Sequence, residues 1–120
     1  MKINSTKFGS IIIDGQVYSH DIYILPNGKI EKRNKEYSPR IEGHRSLGLK
    51  EMEYLLFQKP DIIFIGMGQS GVLPLQEEAQ QLLNISHCEV IKDLTPNLLI
   101  QFNQVFGKDK KICAIFHITC

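Results

Sequence analysis

The chain has 120 residues, of which 42% are hydrophobic and 22% charged, and its formal net charge is +1. This length suits one domain with a continuous hydrophobic core, and the composition is that of an ordinary soluble globular protein. The nearly balanced charge argues against nucleic acid as a partner, and no apolar run approaches the roughly 20 residues of a membrane span. The N-terminal residues lack the apolar stretch of a secretory signal, so we expect a cytoplasmic protein.

The first third of the chain is rich in β-branched residues and turn signals. Together they predict four short strands that form a meander, and Asp14-Gly15 is a hairpin signal between the first two. The fourth strand carries a run of basic residues broken by acids, which favours a solvated edge strand over a phosphate-binding stripe. The predicted strands cover residues 8–13, 16–18, 22–25 and 29–33.

A polar loop is predicted over residues 34–48, and a helix follows it. Ser46 stands where an N-cap belongs, and apolar residues recur at helical spacing from Leu49 to Leu56. Pro60 ends the helix, because proline cannot continue the hydrogen-bond ladder.

The rest of the chain alternates between strands and helices. Strands are predicted at 62–65, 88–91 and 112–117, and helices at 76–83 and 95–106, the second with Thr95 as N-cap and Pro96 at its first position. This order implies crossovers and a largely parallel sheet. We therefore predict a single α/β domain over residues 1–120, with an N-terminal β-meander joined to a βαβαβ unit. Its central sheet should be mixed, largely parallel and covered by helices.

A glycine-rich sequence directly after the predicted strand 62–65 is the main candidate for a binding site. Bare backbone N–H groups at the carboxyl end of a buried strand can hold an anion. The spacing matches the dinucleotide-binding pattern, but residues 72–75 delay the next helix, and the remaining chain is too short for a full dinucleotide fold. Three interpretations stay open: a nicotinamide or flavin site, a site for a smaller anion or polar ligand, and a purely structural turn. The candidate ligand-binding residues are Gly66, Gly68, Gln69, Ser70 and Gly71.

His44 is a further candidate ligand-binding residue. It lies in the predicted loop between Gly43 and Arg45, and an arginine beside a histidine in such a loop could complete an anion site. The alternative is an exposed surface histidine.

Catalytic and metal chemistry have weaker support in the sequence. Ser70, Asp93 and His117 follow the chain order of a hydrolase triad, but the spacing around Ser70 is one residue short, and a loop serine that caps backbone groups is the alternative. The three cysteines have no C-x-x-C spacing, so we expect neither a metal nor a cofactor. The sequence does not bring together a nucleophile, a base and oxyanion donors, and it therefore leans away from an enzyme.

Several segments together resemble the adipogenesis-associated domain family, a family of small proteins of largely unassigned activity. They are the strand and glycine loop over residues 63–73, the spacing from Thr95 to Asn103, and the ending from Ile115 to Cys120. More distant relatives of that family include a mitochondrial assembly factor for respiratory complex I. The resemblance implies a compact α/β fold with a mixed central sheet and no established catalytic residues. By position, it carries over the glycine-loop residues Gly66, Gly68 and Ser70, the pair Thr95 and Asn103, and His44.

The combined expectation is a non-catalytic binding or assembly protein that uses residues 66–71 as a recognition surface for a protein partner. The alternative is a small-molecule enzyme or ligand sensor that binds an anionic ligand at the same loop, with His44 or His117 handling protons. An enzyme or sensor needs a concave polar pocket near the loop. An assembly protein should expose an apolar patch, for which Leu73 and Leu75 are candidates.

Overall fold

The computed structural model describes residues 1–120, and its N-terminal strands belong to two different sheets. Strands β1 (Ile3–Lys7), β2 (Ser10–Ile13) and β3 (Gln16–Tyr18) form a small antiparallel sheet in that order. Strands β4 (Ile22–Ile24) and β5 (Ile30–Lys32) pair with each other and join the central sheet instead. The predicted meander is therefore divided between two layers.

Three helices alternate with the remaining strands of the central sheet. Its strands lie in the order β5, β4, Ile112–His117, Ile62–Met67 and Glu89–Asp93. The two most apolar strands, Ile112–His117 and Ile62–Met67, are therefore next to each other inside the sheet. The strands Ile62–Met67, Glu89–Asp93 and Ile112–His117 run parallel to one another, and β4 runs antiparallel to Ile112–His117. This confirms the predicted α/β fold with a mixed, largely parallel central sheet. The elements are β6 (Arg40–Ile41), β7 (His44–Arg45), α1 (Leu49–Phe57), β8 (Ile62–Met67), α2 (Glu77–Ile85), β9 (Glu89–Asp93), α3 (Thr95–Val105) and β10 (Ile112–His117).

Both faces of the central sheet are covered. On one face, the small sheet and α3 enclose a cluster of 13 buried residues, in which the ring of Phe102 meets those of Phe64 and Phe116 edge-on at 5.4 and 5.6 Å. On the other face, α1 and α2 enclose a cluster of 12 buried residues that includes Met52 and Leu83. Strands buried on both faces are continuous apolar runs, which is why β8 and β10 could be predicted closely. None of the helices has the length and apolar character needed to cross a membrane.

The predicted N-caps of α1 and α3 are wrong by one or two residues. Gly48 is the N-cap of α1, and Leu94 is the N-cap of α3. Ser46 and Thr95 are completely buried, and their hydroxyls bond to other parts of the chain; that of Ser46 donates to the carbonyl of Pro39 at 2.6 Å. Both residues are thus tertiary contacts rather than local caps.

Strand β1 was not predicted, because Ile3 is its only fully buried residue. A side chain from α3 fixes it in place: Asn103 accepts the N–H of Ile3 at 2.8 Å and donates to its carbonyl at 2.9 Å. This pair of bonds explains an asparagine in the middle of a helix, where its intrinsic propensity is poor.

Candidate functional site

A network of buried charges lies between the central sheet and α1. Arg33, which directly follows β5, is only 5% exposed. Its guanidinium donates to both carboxylate oxygens of Glu51, at 2.7 and 2.9 Å, and to Asp21 Oδ2 at 2.9 Å. The strand before it is an edge strand, as predicted, but the expectation of a solvated basic run is wrong for Arg33.

Glu51 is the acceptor at the centre of this network. Besides Arg33, it accepts the hydroxyls of Tyr23 and Ser38, both at 2.6 Å, and the N–H of Gly48 at 3.2 Å. Burial by itself raises the pKa of Glu51, but the hydrogen bonds and charge of Arg33 and the two hydroxyls outweigh it, so the pKa is lowered. Burial and the adjacent Glu51 raise the pKa of Tyr23. Glu51 is therefore a carboxylate and Tyr23 a neutral phenol at neutral pH.

Asp21 extends the network to the end of β10. Its Oδ2 lies 2.7 Å from His117 Nδ1, and its Oδ1 accepts the N–H of Ile118 at 2.9 Å. Burial raises the pKa of Asp21, but His117, the Ile118 N–H and Arg33 outweigh it and lower the pKa to about 2. A carboxylate can only accept, so Nδ1 of His117 carries a proton and Nε2 is directed away from Asp21. Thr119 Oγ1 lies 3.3 Å from that Nε2.

The glycine loop (residues 66–71) packs against residues 117–120, which we call the C-terminal segment. The N–H groups of Gln69 and Ser70 donate to the carbonyls of Thr119 at 2.7 Å and Cys120 at 3.2 Å, and the N–H of Gly68 donates to Thr95 Oγ1 at 3.1 Å. These three N–H groups are bonded within the chain. The direct role of the loop in the structure is thus to hold the C-terminal segment.

Close packing requires glycine at two positions of this loop. A Cβ on Gly68, whose φ is +104°, would lie 2.5 Å from the carbonyl carbon of Cys120 and 2.7 Å from His117 Cδ2. A Cβ on Gly66 would lie 2.6 Å from Thr95 Oγ1. The Thr95 hydroxyl also donates to the carbonyl of His117 at 2.6 Å. The glycines and Thr95 therefore fix the position of the His117 backbone.

A cavity of about 200 Å³ opens between the β6–β7 ribbon and the C-terminal segment. We call it the cationic pocket, because no Asp or Glu lines it, and of its lysines and arginines only Arg33 forms a salt bridge. Leu73 and Pro74, just after the glycine loop, form an apolar wall. Its other polar side chains are those of Lys35, Arg40, His44, Arg45, His117 and Thr119.

Among the pocket cations without a carboxylate partner, Arg45 has the most hydrogen bonds. Its Nη1 donates to the carbonyls of Lys35 and Ser38, at 3.1 and 3.2 Å, and so ties down the preceding loop. Its Nε is shielded from solvent and has no hydrogen-bond acceptor in the chain. A buried donor without an acceptor costs about 1–3 kcal/mol, so Arg45 Nε has an unmet hydrogen-bonding requirement.

The sequence and the fold both match known proteins. A family model described as a protein of unknown function (DUF498/DUF598) matches residues 3–117. The chain belongs to the DUF498/DUF598 family. Its sequence is 38% identical to a conserved hypothetical protein from Pyrococcus horikoshii, whose crystal structure superposes with a TM-score of 0.86 over 100% of both chains. A structure named MT938 is 29% identical, with a TM-score of 0.79 over 99% of this chain and 98% of that one.

A solved structure with lower sequence identity shares the fold of this DUF498/DUF598 protein. An outer membrane protein from Bartonella henselae is 18% identical, with a TM-score of 0.70 over 98% of this chain and 94% of that one, and at this identity the likeness shows the fold alone. No curated protein matches the sequence. The family description assigns no activity, so the functional argument depends on the site itself.

The candidate residues of the DUF498/DUF598 chain do not all meet at one place. His44 lines the cationic pocket together with His117. The glycines and Ser70 lie behind the C-terminal segment, and the side chain of Gln69 donates to Thr6 Oγ1 at 3.0 Å. Leu73 is buried and Leu75 half-buried, so the prediction that Leu73 belongs to an exposed apolar patch is wrong.

The combination of Ser70, Asp93 and His117, which the chain order permits but which we did not favour, does not occur. Asp93 Oδ1 accepts the N–H of Leu94 at 2.7 Å and the side-chain amide of Asn97 at 3.2 Å, so it serves the start of α3. The acid beside His117 is Asp21, 96 residues earlier in the chain. No local pattern marks such a pair, which is why the sequence missed it.

A larger cleft, of about 560 Å³, is lined by Tyr23, Tyr37, Tyr54 and Glu51. The polar groups of this tyrosine cleft already bond to one another: Tyr23 donates to Glu51, and the hydroxyl of Tyr54 donates to Glu31. The bond to Glu31, together with burial, raises the pKa of Tyr54 to about 12. Glu31 and Glu51 line the cleft together with Lys32 and Lys50, so it lacks the one-sided positive charge of the cationic pocket. Nowhere do three His, Cys, Asp or Glu side chains cluster in a way that would hold a metal ion.

Proposed function

We propose that this DUF498/DUF598 protein binds a small anionic ligand in the cationic pocket. The observation that carries the proposal is the convergence of Lys35, Arg40 and Arg45, none of which has a carboxylate partner, on a cavity without acidic lining. Positive charges that face one cavity create a field that attracts anions.

The lining of the cationic pocket indicates the chemistry of the ligand. Guanidinium groups bind carboxylates and phosphates best, because their planar donors match two oxygens at once. The apolar wall of Leu73 and Pro74 suits a short carbon chain attached to the anionic group. At about 200 Å³ the cavity is below the usual range for drug-sized ligands, which favours a small metabolite-sized anion.

The glycine loop contributes to this proposal through the backbone. Of the candidate residues, Gln69 and Ser70 bond to the C-terminal segment and Gly68 packs against it, while Gly66 and Gly71 contact Thr95 and Leu94 instead. The C-terminal segment presents His117 and Thr119 to the pocket, and His44 contacts the cavity itself. The proposal thus keeps the anionic ligand and the ligand-sensor or enzyme alternative expected from the sequence. It shifts the contact surface from the loop N–H groups to the side chains beside them.

A non-catalytic assembly role is the second candidate. The resemblance to the adipogenesis-associated domain family, with its distant complex I assembly factor, implies it. Phe57 and Ile85, at the ends of α1 and α2, are 79% and 75% exposed, and large exposed apolar side chains favour a protein partner. A cytoplasmic location is compatible with either candidate and stays a prediction.

A thermal-shift series with inorganic phosphate, pyrophosphate and citrate tests the anion proposal, because a ligand of the native state raises Tm. We expect a dose-dependent rise for the natural chain and its loss in the Lys35→Gln, Arg40→Gln double variant. The Lys7→Gln, Lys108→Gln variant removes the same charge from exposed positions outside the pocket and should keep the rise. An equal rise in both variants, or none from any of the three anions, would contradict the proposal.

A further inference from the structure

We infer that Thr119, His117 and Asp21 form a centre for acyl transfer, which hydrolyses a small ester that carries a negative charge. In this centre Thr119 is the nucleophile, His117 the general base and acid, and Asp21 a positioning residue. The inference rests on the proposed function in one respect: the cationic pocket would bind the anionic part of the substrate.

The base and its orienting carboxylate have the geometry that nucleophilic catalysis requires. Asp21 holds His117 through Nδ1 at 2.7 Å, and Arg33 and the N–H of Ile118 hold Asp21. The ring is therefore fixed with the lone pair of Nε2 available. A hydroxyl within hydrogen-bond reach of a base that is itself oriented by a third group is the mark of an activated nucleophile.

The nucleophile is accessible from the cationic pocket. Thr119 is half-buried, with Oγ1 3.3 Å from His117 Nε2, and both side chains line the pocket. Thr119 also lines an adjoining recess of about 220 Å³, which it shares with Asp21 and Lys35. An ester whose anionic end lies among the pocket cations would thus have its carbonyl carbon near Thr119.

A main-chain N–H without a partner in the chain could stabilise the oxyanion. The main-chain N–H of Cys120, the residue after the nucleophile, donates to no acceptor within the chain. A backbone N–H at that position is a usual oxyanion donor in serine hydrolases.

The glycine loop holds the backbone of Thr119 and Cys120 in place. Its N–H groups bond the carbonyls on both sides of the Cys120 N–H, through Gln69 to Thr119 and through Ser70 to Cys120, and the N–H of Val72, just after the loop, also bonds to Cys120. The carbonyl of Thr119 is thereby directed into the loop, which leaves its side chain on the pocket side. Rigid support of this kind is what a catalytic constellation needs.

The reaction balances with water as the only second reactant. Thr119 Oγ1 forms a bond to the ester carbonyl carbon while His117 Nε2 takes its proton; the C–O bond to the alcohol then breaks, and Nε2 returns the proton to the departing alkoxide. Water attacks the acyl-threonine in the same way, its proton passing through Nε2 to Thr119 Oγ1. The products are one carboxylic acid and one alcohol.

The test uses para-nitrophenyl acetate, which has no charge, and follows both phenolate release and the mass of the protein. We expect an acetyl group on Thr119 of the natural chain, located by peptide mass spectrometry. An acetyl group confined to other residues, or phenolate release no faster than with an equal concentration of free imidazole, would overturn the inference. The measurement is made on the natural chain, so it does not depend on whether any variant folds.

Variants then separate the roles of the three residues. Thr119→Val and His117→Gln should each lower the rate by about 100-fold, while Thr119→Ser should keep most of it. His87→Gln, which removes an exposed histidine far from the pocket, should leave the rate unchanged. Asp21→Asn should lower kcat with little change in KM, because the imidazole ring loses the carboxylate that orients it. A rate in Thr119→Val within about twofold of the natural chain would overturn the inference.

The inference and the proposed function can fail independently. Acetyl transfer to Thr119 without a rise in Tm from phosphate, pyrophosphate or citrate would keep the catalytic centre and remove the anion-binding proposal. A rise in Tm without acetyl transfer would keep the anion pocket and remove the catalytic centre.

Discussion

Thr95 connects three elements through one hydroxyl. It accepts the N–H of Gly68 and donates to the carbonyl of His117, and it is completely buried at the first position of α3. Its position suggested an N-cap, but here the hydroxyl serves the tertiary structure. The roles of the residues around the site can thus be assigned only once their distant partners are known.

Thr95→Val removes both bonds and keeps the shape of the side chain. We expect a loss of about 1–3 kcal/mol in the free energy of unfolding, because the Gly68 N–H and the His117 carbonyl would be left without their partner. Thr95→Ser, which keeps the hydroxyl, is the matched control. Urea denaturation of both variants measures the difference, and equal stabilities would show that the hydroxyl bonds contribute nothing.

Glu51→Gln tests the buried charge network. Removal of one partner leaves the charge of Arg33 only partly compensated, by Asp21, and we expect a loss of about 3 kcal/mol or more. Glu53→Gln, two residues further along the same helix, breaks only a half-exposed contact with Lys50 and should change stability by less than about 1 kcal/mol. A small, equal effect in both variants would mean that the buried pair contributes little.

At the scale of elements, the glycine loop and the C-terminal segment form one unit. The loop follows β8 and the segment follows β10, and these two strands are parallel neighbours in the sheet. Their carboxyl ends therefore lie at the same edge, where ligands of α/β proteins commonly bind. The cationic pocket lies where this unit meets the β6–β7 ribbon.

Gly68→Ala should disturb this unit, and Gly107→Ala supplies a matched control. Both glycines have positive φ, +104° and +77°, but a Cβ at Gly107 would meet nothing within 4 Å. We expect about 1 kcal/mol of backbone strain from Gly107→Ala. Gly68→Ala should cost about 1–3 kcal/mol more, because its Cβ overlaps Cys120. Calorimetric melting measures both; equal losses would contradict the close packing of the C-terminal segment.

The elements that could be predicted are those whose pattern is local. Strands β8 and β10 are continuous apolar runs, and α1 has apolar residues at helical spacing, so their burial can be inferred from the chain itself. Strand β1 and the β6–β7 ribbon could not be predicted, because β1 has one fully buried residue and the ribbon strands have two residues each. Their positions depend on partners such as Asn103, a hundred residues away.

The site was predictable only in part, for the same reason. His44 was inferred from its loop, and it lines the cationic pocket. Arg33, in a run of lysines and glutamates, was expected to be solvated, because a charged residue has no local signature of burial. Its carboxylate partners, Asp21 and Glu51, lie 12 residues before it and 18 after it. Such networks appear only when the sheet brings distant segments together.

At the scale of the whole molecule, the net charge of +1 conceals an uneven distribution. The buried acids Asp21 and Glu51 are both used by Arg33, so the pocket cations beside them remain uncompensated. The same distribution makes the stability of the fold depend on pH. Asp21 binds its partners only as a carboxylate.

Acid should therefore unfold the protein partly through Asp21. Its pKa is about 2 in the folded chain against an ordinary 3.8, so its contribution is fully present above about pH 4 and is lost as the pH falls towards 2. The shift corresponds to about 2 kcal/mol. Urea denaturation between pH 5 and 2, a range set by this shift, should show a smaller dependence on pH in Asp21→Asn than in the natural chain. The same dependence in both chains would assign the acid sensitivity to other carboxylates.

The most direct test of the account is an NMR titration of the ¹⁵N-labelled protein with inorganic phosphate at low ionic strength. We predict saturable shifts at the backbone amides of His44, Arg45 and Thr119, with little change at α2, none of whose residues lines the pocket. The Lys35→Gln, Arg40→Gln variant should lose these shifts. Saturable shifts elsewhere, or only the small uniform drift that added salt produces, would contradict an anion site in the cationic pocket.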